Sequence, residues 1–349
     1  MVVWGITPGN AGMQAQVRAL AGALGETPVM KNVDIRKSFA WIPNVVAAPF
    51  RRFIVPYFID AKSDAPTLPY PDIIISCGRR GALVAMGLRH AMPMTKFIHI
   101  QDPQVSSRYF DLVIAMEHDK ITGPNVIKTR YALHSITPDV LRVAAEKFAP
   151  RFAGYAKPLV AVLLGGSTNK YQFGKEAMAQ VIMQLQQLLQ RMEGTLLITP
   201  SRRTGEENVA MLRGAFAENP RVYVYTPPPL GGRLGGGLVE TPLVQSPHPG
   251  PPPSGEGEEN PYMGMLALAD TIIVSNDSVN MMSEARATGK PIYILKLPGH
   301  EGTKPARFAE MLIGDGTARV LANRLESWNY AVGDEMGALA EEVTNRLRG

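Results

Sequence analysis

Short apolar runs alternate with amphipathic stretches along most of this 349-residue chain. The runs at 73–77, 159–164 and 271–274 are rich in β-branched residues and show little polar alternation, which is typical of parallel strands buried on both faces. Helices are predicted at 13–24, 80–90, 138–148, 174–192 and 278–287, and the last of them ends at Gly289. This alternation predicts an α/β fold in which helices connect parallel strands.

The most distinctive strand–helix–strand unit spans 270–295. A polar loop joins its first strand to its helix, where open α/β sheets bind ligands and backbone N–H groups can hold an anion. The loop residues are Ser275, Asn276, Asp277 and Ser278. Glu284 follows two turns into the helix. The alternative is that Asp277 or Ser278 only caps the helix.

The length of the chain favours two domains. A segment containing proline and glycine at 149–158 divides it into a predicted domain at 1–150 and a second at 151–330. Residues 331–349 are predicted to form a C-terminal helix that returns to the first domain. Residues 227–259 consist mainly of Pro, Gly, Ser and Glu, a composition that cannot form a core, so we expect a disordered surface insertion there.

Each predicted domain begins with a strand followed by a glycine turn. Gly9, Asn10 and Gly12 form the first turn, and Gly165, Gly166, Ser167 and Thr168 form the second. Glycine lets a ligand approach the backbone closely, and the following helix offers free N–H groups, so the second turn could hold a diphosphate. Neither turn has the spacing of a dinucleotide fingerprint or a Walker loop, and a plain strand-to-helix turn remains the alternative for the first.

Histidines beside carboxylates follow two other predicted strands. His99 with Asp102, or His118 beside Asp119, could act as a general base, because imidazole titrates near neutral pH and a carboxylate stabilises its protonated form. The alternative is a structural histidine bonded to the backbone. His300 lies in a later glycine-containing loop and could reach a donor, or could have no function. These positions lie at strand exits rather than on one helix face, so we predict no metal site.

Composition narrows the functional classes. Cys77 is the one cysteine, which excludes an internal disulfide framework and a cysteine-based zinc site and favours the cytoplasm. We find no secretory signal and no apolar run of membrane-spanning length. A net charge of +5 suits anionic ligands or an acidic membrane surface but is too small to indicate nucleic acid.

The segment at 38–59 is unusually rich in aromatic residues and contains Arg51 and Arg52. Its prolines at 43, 49 and 56 exclude a spanning helix, whereas short amphipathic pieces with tryptophan and arginine fit an interfacial membrane contact. The alternative is an irregular helical segment that is partly buried against the first domain.

Two resemblances add to this interpretation. The 275–284 stretch resembles the donor-nucleotide motif of GT-B glycosyltransferases, in which a Ser/Asp-rich turn precedes a helix whose glutamate holds the ribose hydroxyls. Over nearly its full length the chain also resembles the family named after the plant "elongate mitochondria" fission factor. The matching pieces lie at 5–14, 71–80, 99–103, 164–167, 199–203 and 260–263.

These resemblances imply a GT-B-like fold of two Rossmann-like domains with parallel sheets facing a central cleft. They imply a metal-independent glycosyltransferase that uses a nucleotide-sugar, expected to be UDP-linked, as a substrate and needs no separate cofactor. Ser201 and Arg202 resemble the element that lines the nucleotide pocket, and Gly9, Asn10 and Gly12 would face the acceptor. The acceptor could be a lipid, with the protein peripheral to the inner membrane.

Two other interpretations stay open. The chain could be a non-catalytic GT-B-like scaffold that recruits partner proteins at a membrane, as the plant namesake suggests. It could also be a nucleotide-sugar epimerase, an interpretation that predicts bound NAD and that the missing dinucleotide fingerprint disfavours. The sequence leaves the sugar, the acceptor and the oligomeric state open.

Overall fold

A computed structural model describes residues 1–64, 69–168, 171–226, 259–322 and 324–348. The chain forms two compact units. The first, here called the N-terminal unit, comprises Met1–Ser135 and Gly333–Gly349, and the second, the C-terminal unit, comprises Ile136–Val332.

The N-terminal unit is built on a six-stranded parallel sheet of order β2-β1-β3-β4-β5-β6. Its strands are β1 (Val3–Thr7), β2 (Val29–Asn32), β3 (Ile73–Cys77), β4 (Lys96–Ile100), β5 (Leu112–Met116) and β6 (Val126–Thr129). Its helices are α1 (Ala11–Ala23), α2 (Asn44–Ala47), α3 (Gly78–Arg89) and, from the end of the chain, α10 (Glu335–Arg348). A 3-10 helix at Ala48–Phe53 and a π-helix at Ile54–Phe58 follow α2.

Both faces of this sheet are buried, which explains the continuous apolar runs. Successive residues of a strand point to opposite faces. Ile74 accordingly packs in the core that contains α3 and the 38–59 segment. Its neighbours Ile73 and Ile75 pack in the other core, with residues of α1 and with Leu339 and Val343 of α10. The C-terminal helix is therefore part of the N-terminal unit.

The C-terminal unit has a second six-stranded parallel sheet, of order β12-β11-β10-β7-β8-β9. Its strands are β7 (Leu159–Leu164), β8 (Thr195–Pro200), β9 (Val222–Val224), β10 (Thr271–Ser275), β11 (Ile292–Leu295) and β12 (Ala318–Val320). Its helices are α4 (Pro138–Phe152), α5 (Lys175–Leu189), α6 (Glu206–Phe216), α7 (Tyr262–Leu268), α8 (Val279–Ala287) and α9 (Lys304–Gly314). Strand order reverses between β7 and β10, which are hydrogen-bonded neighbours.

The predicted α/β class and the parallel sheets are confirmed, and the fold is GT-B-like. The division between the units lies at Ser135 and Ile136, earlier than the predicted boundary at 150. The reason is that α4 packs on α7, so closely that a Cβ added at Gly264 would overlap the Phe148 side chain. The segment at 149–158 therefore joins two elements of one unit.

The predicted insertion at 227–259 lies outside the described residues except for Glu259. Within the described ranges, no helix combines the length and apolar character that crossing a bilayer requires.

Candidate functional site

Four polar loops follow neighbouring strands at the carboxyl edge of the C-terminal sheet. They lie at 165–168 after β7, at 201–204 after β8, at 276–278 after β10 and at 297–303 after β11. The first and third of them flank the point where the strand order reverses. In open α/β sheets, ligands bind in the crevice outside the strand ends at such a point. The strand order therefore marks this edge as the candidate site.

Asp277, in the loop after β10, contacts residues of the loops after β7 and β8. Its side chain is fully buried, and its carboxylate accepts hydrogen bonds from the Gly166 N–H at 2.6 Å and from the Ser275 hydroxyl at 2.5 Å. The Arg203 guanidinium lies 3.5 Å away. A Cβ added at Gly165 would overlap this carboxylate, so only glycine fits there.

The N–H groups of the glycine turn are already bonded within the protein. Gly165 donates to the Ser275 hydroxyl at 2.8 Å, and Gly166 donates to Asp277. Ser167 donates to the Arg203 carbonyl at 2.9 Å, and Thr168 donates to the Tyr171 carbonyl at 2.7 Å. We expected Gly165 and Gly166 to admit a ligand, but here they admit Asp277, whose carboxylate binds an N–H group that a phosphate oxygen would use.

The arginine that reaches this edge is Arg203. Its guanidinium donates to the Gly166 carbonyl at 3.2 Å in addition to its contact with Asp277. The predicted Arg202 is exposed, and Ser201 donates from its hydroxyl to the Gly165 carbonyl at 2.8 Å. The two adjacent arginines were visible in the sequence, but the direction of each side chain depends on the 3-10 turn at Arg202–Thr204.

Tyr171 and His300 form a stacked aromatic pair near Asp277, with ring centroids 4.4 Å apart. The His300 side chain is buried, and its Nδ1 lies 3.2 Å from the Thr303 hydroxyl. Burial lowers the pKa of His300, and the negative charge of Asp277 partly opposes that effect. Burial, and then the charge of Asp277, raise the pKa of Tyr171 to about 12. Both rings are therefore held in their neutral forms.

This pair carries two unsatisfied polar atoms. Within the described part of the chain, the buried Nε2 of His300 and the buried hydroxyl of Tyr171 have no hydrogen-bond partner. Buried polar atoms are normally paired, and leaving one unpaired costs about 1–3 kcal/mol. A ligand hydroxyl that reached these atoms could donate to one and accept from the other, and an ordered water could do the same. No sequence pattern singled out Tyr171, whereas the position of His300 in a loop after a strand did suggest a contact.

Asn276 and Ser278 have structural contacts in this loop. The Asn276 side-chain oxygen accepts the Leu297 N–H at 3.0 Å and so ties two strand-end loops together. The Ser278 hydroxyl accepts the Met281 N–H at 3.4 Å and caps α8. For Ser278 the structure therefore shows the capping contact that was the alternative to ligand binding.

Glu284 and Tyr262 form a hydrogen-bonded pair between α8 and α7, with the phenol donating to the carboxylate. Burial raises the pKa of Glu284 to about 7, although the Tyr262 hydrogen bond acts in the opposite direction. Burial and the neighbouring Glu284 raise the pKa of Tyr262 well above its usual value. The carboxyl of Glu284 is therefore present in both protonation states near neutral pH, and only the charged state accepts strong hydrogen bonds from ligand hydroxyls.

His99 and Asp102 in the N-terminal unit do not form the predicted pair. His99 lies inside β4 and is fully buried, its Nδ1 is 2.8 Å from the Ser76 hydroxyl, and burial lowers its pKa to about 3. Asp102 accepts the Gln104 N–H at 2.8 Å. A buried imidazole that stays neutral cannot collect a proton from a substrate at neutral pH, so this geometry does not support His99 as the base.

His118 keeps the predicted arrangement of a histidine beside a carboxylate. Its Nε2 lies 3.8 Å from an Asp119 oxygen, and about a third of its side chain is exposed. Gly9 and Asn10 lie exposed in the turn between β1 and α1, where Gly9 has a φ of +88° that favours glycine, and Gly12 lies exposed in the first turn of α1. Among the residues that the structure describes, no group of three metal-ligating side chains is assembled.

Comparison with known proteins identifies relatives. A family model described as mitochondrial fission ELM1 matches residues 11–234 and 246–347. The mitochondrial fission protein ELM1 of Arabidopsis thaliana is 28% identical over 79% of this chain, which spans 64% of the plant protein's length. The uncharacterized protein RP120 of Rickettsia prowazekii is 24% identical over 100% of this chain and 99% of its own length.

Among solved structures, the UDP-GlcNAc 2-epimerase of Neisseria meningitidis, which was solved bound to UDP-GlcNAc, has a similar fold. Its TM-score is 0.50 at 13% identity, and the match covers 100% of both chains. At this identity the similarity shows the fold alone.

Proposed function

We infer the function of this chain from its membership of the mitochondrial fission ELM1 family, whose name gives no activity, and from the geometry of its candidate site. We propose that it transfers a sugar from a nucleotide-sugar, expected to be UDP-linked, to an acceptor hydroxyl. The acceptor would be held by the N-terminal unit and presented by a membrane. The donor would bind at the carboxyl edge of the C-terminal sheet.

One observation carries this proposal. The strand order reverses between β7 and β10, and the unpartnered buried atoms of Tyr171 and His300 lie at that edge, near Asp277. A preformed polar site with unsatisfied atoms at a switch point supports binding of a polar, phosphate-containing ligand. The Glu284–Tyr262 pair on α8 and α7 would accept hydrogen bonds from the ribose hydroxyls.

The reaction requires charge stabilisation and a base. The acceptor oxygen would attack the anomeric carbon while the bond from that carbon to the diphosphate oxygen breaks, and the diphosphate would leave with the electron pair. Arg203, whose side chain is 41% exposed and can turn from Asp277 to a phosphate, would stabilise the leaving charge. The acceptor proton would pass to a base, and His118 beside Asp119 has the required chemistry.

The alternative function is a non-catalytic scaffold that recruits partner proteins at a membrane, and one observation favours it. Asp277 already bonds the Gly166 N–H, and the other three N–H groups of the glycine turn are also bonded within the protein. In a protein of this fold that does not bind a diphosphate, the internal carboxylate would keep the glycine turn hydrogen-bonded and stable. The enzyme hypothesis requires that a phosphate bind beside Asp277 or displace it.

Calorimetric titration with UDP, GDP and ADP tests the proposal. We expect one nucleotide to bind and Glu284→Ala to weaken its binding about 10- to 100-fold, since a hydrogen bond to a charged group contributes about 1.5–3 kcal/mol. Glu218→Ala, which removes an exposed glutamate of the same unit, is the matched control and should leave binding unchanged.

The outcomes separate the two functions. Binding that Glu284→Ala weakens, together with slow hydrolysis of the matching nucleotide-sugar, would support the transferase. If none of the three nucleotides binds, or if both variants bind like the wild type, the donor-site proposal is wrong and the scaffold becomes the better hypothesis.

A further inference from the structure

An aromatic face lies exposed on the N-terminal unit. It consists of Val46, Phe50, Phe53 and Tyr57, whose side chains are 55%, 57%, 53% and 58% exposed. These residues are spaced by three or four positions along consecutive short helices, so they project to one side of the segment. Contiguous exposed apolar side chains of this kind mark an interaction surface.

The opposite side of the same segment is buried, and part of it packs against α3. Ala47, Ala48 and Ile54 are buried, and Ile54 packs against Gly87 of α3, where an added Cβ would lie 3.1 Å from the Ile54 Cβ. The aromatic face is therefore held outward by a close fit to α3 and is not a loosely packed part of the core.

An arginine pocket of about 360 Å³ shares Arg51 with this segment. It is lined by Arg51, Met86, Arg89, His90, Arg108 and Tyr109. The guanidinium groups of Arg51 and Arg108 lie 5.6 and 5.4 Å from the centre of the Tyr109 ring. Arg89 is neutralised by Asp111 at 2.7 Å.

The other two cations of the pocket are uncompensated. No carboxylate of the described residues forms an ion pair with Arg51 or Arg108. Two like charges around one ring repel each other, and an anion between them would remove that repulsion. The volume falls in the range of small-molecule sites, so it can admit a phosphodiester headgroup.

The arginines of the pocket and the aromatic face together indicate what kind of partner this surface binds. Aromatic rings with an apolar body and a polar edge favour the membrane interface, and nearby arginines are attracted to anionic lipids. We propose that this surface binds an anionic phospholipid membrane, with a lipid phosphate in the arginine pocket and Phe50, Phe53 and Tyr57 in the interface. This inference extends the membrane-presented acceptor of the proposed function, but it requires no nucleotide and can fail separately.

Sedimentation with vesicles tests the proposal. Vesicles of phosphatidylcholine mixed with phosphatidylglycerol should bind the full chain, vesicles of phosphatidylcholine alone should bind it weakly, and added salt should release it. The double variant Arg51→Gln/Arg108→Gln should bind about 25-fold more weakly, at about fivefold per arginine. The control Arg191→Gln/Arg213→Gln removes two exposed arginines of the C-terminal unit and should not change binding.

A second variant and a spectroscopic signal test the aromatic contribution. Phe50→Ser/Phe53→Ser changes exposed side chains only, so it should fold, as circular dichroism would show, and lose most vesicle binding. Trp41 is 76% exposed in the same segment, and its emission should shift to the blue with anionic vesicles; Trp41→Phe should abolish the shift.

Three results would overturn the inference. The first is equal binding to neutral and anionic vesicles, and the second is equal loss in the arginine variant and its control. The third is a full chain that does not bind anionic vesicles but binds inorganic phosphate, with that binding lost in Arg51→Gln/Arg108→Gln, which would show a site for a small free anion instead of a lipid surface.

Discussion

The raised pKa of Glu284 makes stability depend on pH in a defined direction, and the proposed nucleotide binding would depend on pH as well. Burial raises the pKa of this carboxyl from 4.5 to about 7. The folded protein therefore holds a proton on Glu284 over a pH range in which the unfolded chain has released it. Glu284→Gln replaces the carboxyl with an amide that is neutral at every pH and can still accept the Tyr262 hydrogen bond.

The size and sign of the effect follow from linkage. Below pH 4.5 both states are protonated, and Glu284 does not penalise folding. As the pH rises from 4.5 to about 7, only the unfolded chain releases its proton, so the folded protein loses stability, and above about 7 the loss is complete. The interval between 4.5 and about 7, at about 1.4 kcal/mol per unit, corresponds to a loss of about 3 kcal/mol.

Chemical unfolding at a series of pH values measures this loss. The stability of the wild type minus that of Glu284→Gln should fall by about 3 kcal/mol between pH 4.5 and 7.5, because the other titrating groups cancel in the difference. The difference for the exposed control Glu218→Gln should stay constant. Affinity for the bound nucleotide should rise with pH through about 7 in the wild type but not in Glu284→Gln.

A flat difference across this range would refute the reasoning, since it would mean that Glu284 ionises alike in the folded and unfolded chains. A difference that rises with pH would refute it equally, because it would require a lowered pKa in the folded protein. In either case the burial that raises the pKa of this carboxyl would be absent, and the proposed ribose contact would lose its expected dependence on pH.

Three further predictions test the sheet edge, a predicted catalytic residue and the C-terminal helix. Gly165→Ala should lower the free energy of unfolding by about 3 kcal/mol, because overpacking against the buried Asp277 carboxylate costs about 1–3 kcal/mol and its hydrogen bonds are also lost; Gly214→Ala, in an open helical position, should raise it by up to about 1 kcal/mol. The His99 ring should show no titration by NMR between pH 5 and 8, because its pKa is about 3. As the pH falls below 6.5, the unfolded chain protonates this histidine but the folded protein does not, so His99 should lower the free energy of unfolding in acid. Leu339→Ala, which removes a buried side chain of α10, should cost about 2–5 kcal/mol and increase hydrogen exchange in the N-terminal unit; exchange confined to α10 would contradict its place in that core.

Much of the fold could be predicted from the sequence because its signals are local. A strand such as 73–77 is apolar throughout because both faces of its sheet are covered, and this pattern is readable without any knowledge of its neighbours. The helix start at Ser278 is likewise a local matter, since the hydroxyl bonds an N–H three residues later. The same reasoning led us to expect a ligand at the strand-end loops.

Contacts within the candidate site could not be read in this way, because they join residues far apart in the chain. Asp277 bonds the Gly166 N–H across 111 positions, and Tyr171 stacks on His300, only because the strand order brings β7 and β10 side by side and sets the loops beyond β7 and β11 at one edge.

Burial also distinguishes the two predicted catalytic histidines, and it too depends on long-range packing. His99 and His118 both stand beside polar residues in the sequence, but the parallel pairing of β3 with β4 sets His99 against Ser76 inside the sheet. His118 follows the end of β5 and stays partly exposed beside Asp119. The amino-acid sequence thus determined the elements and the edge at which their polar loops would gather. The tertiary structure decided which of those side chains face one another and which are closed off from solvent, because both depend on strand order and on long-range packing.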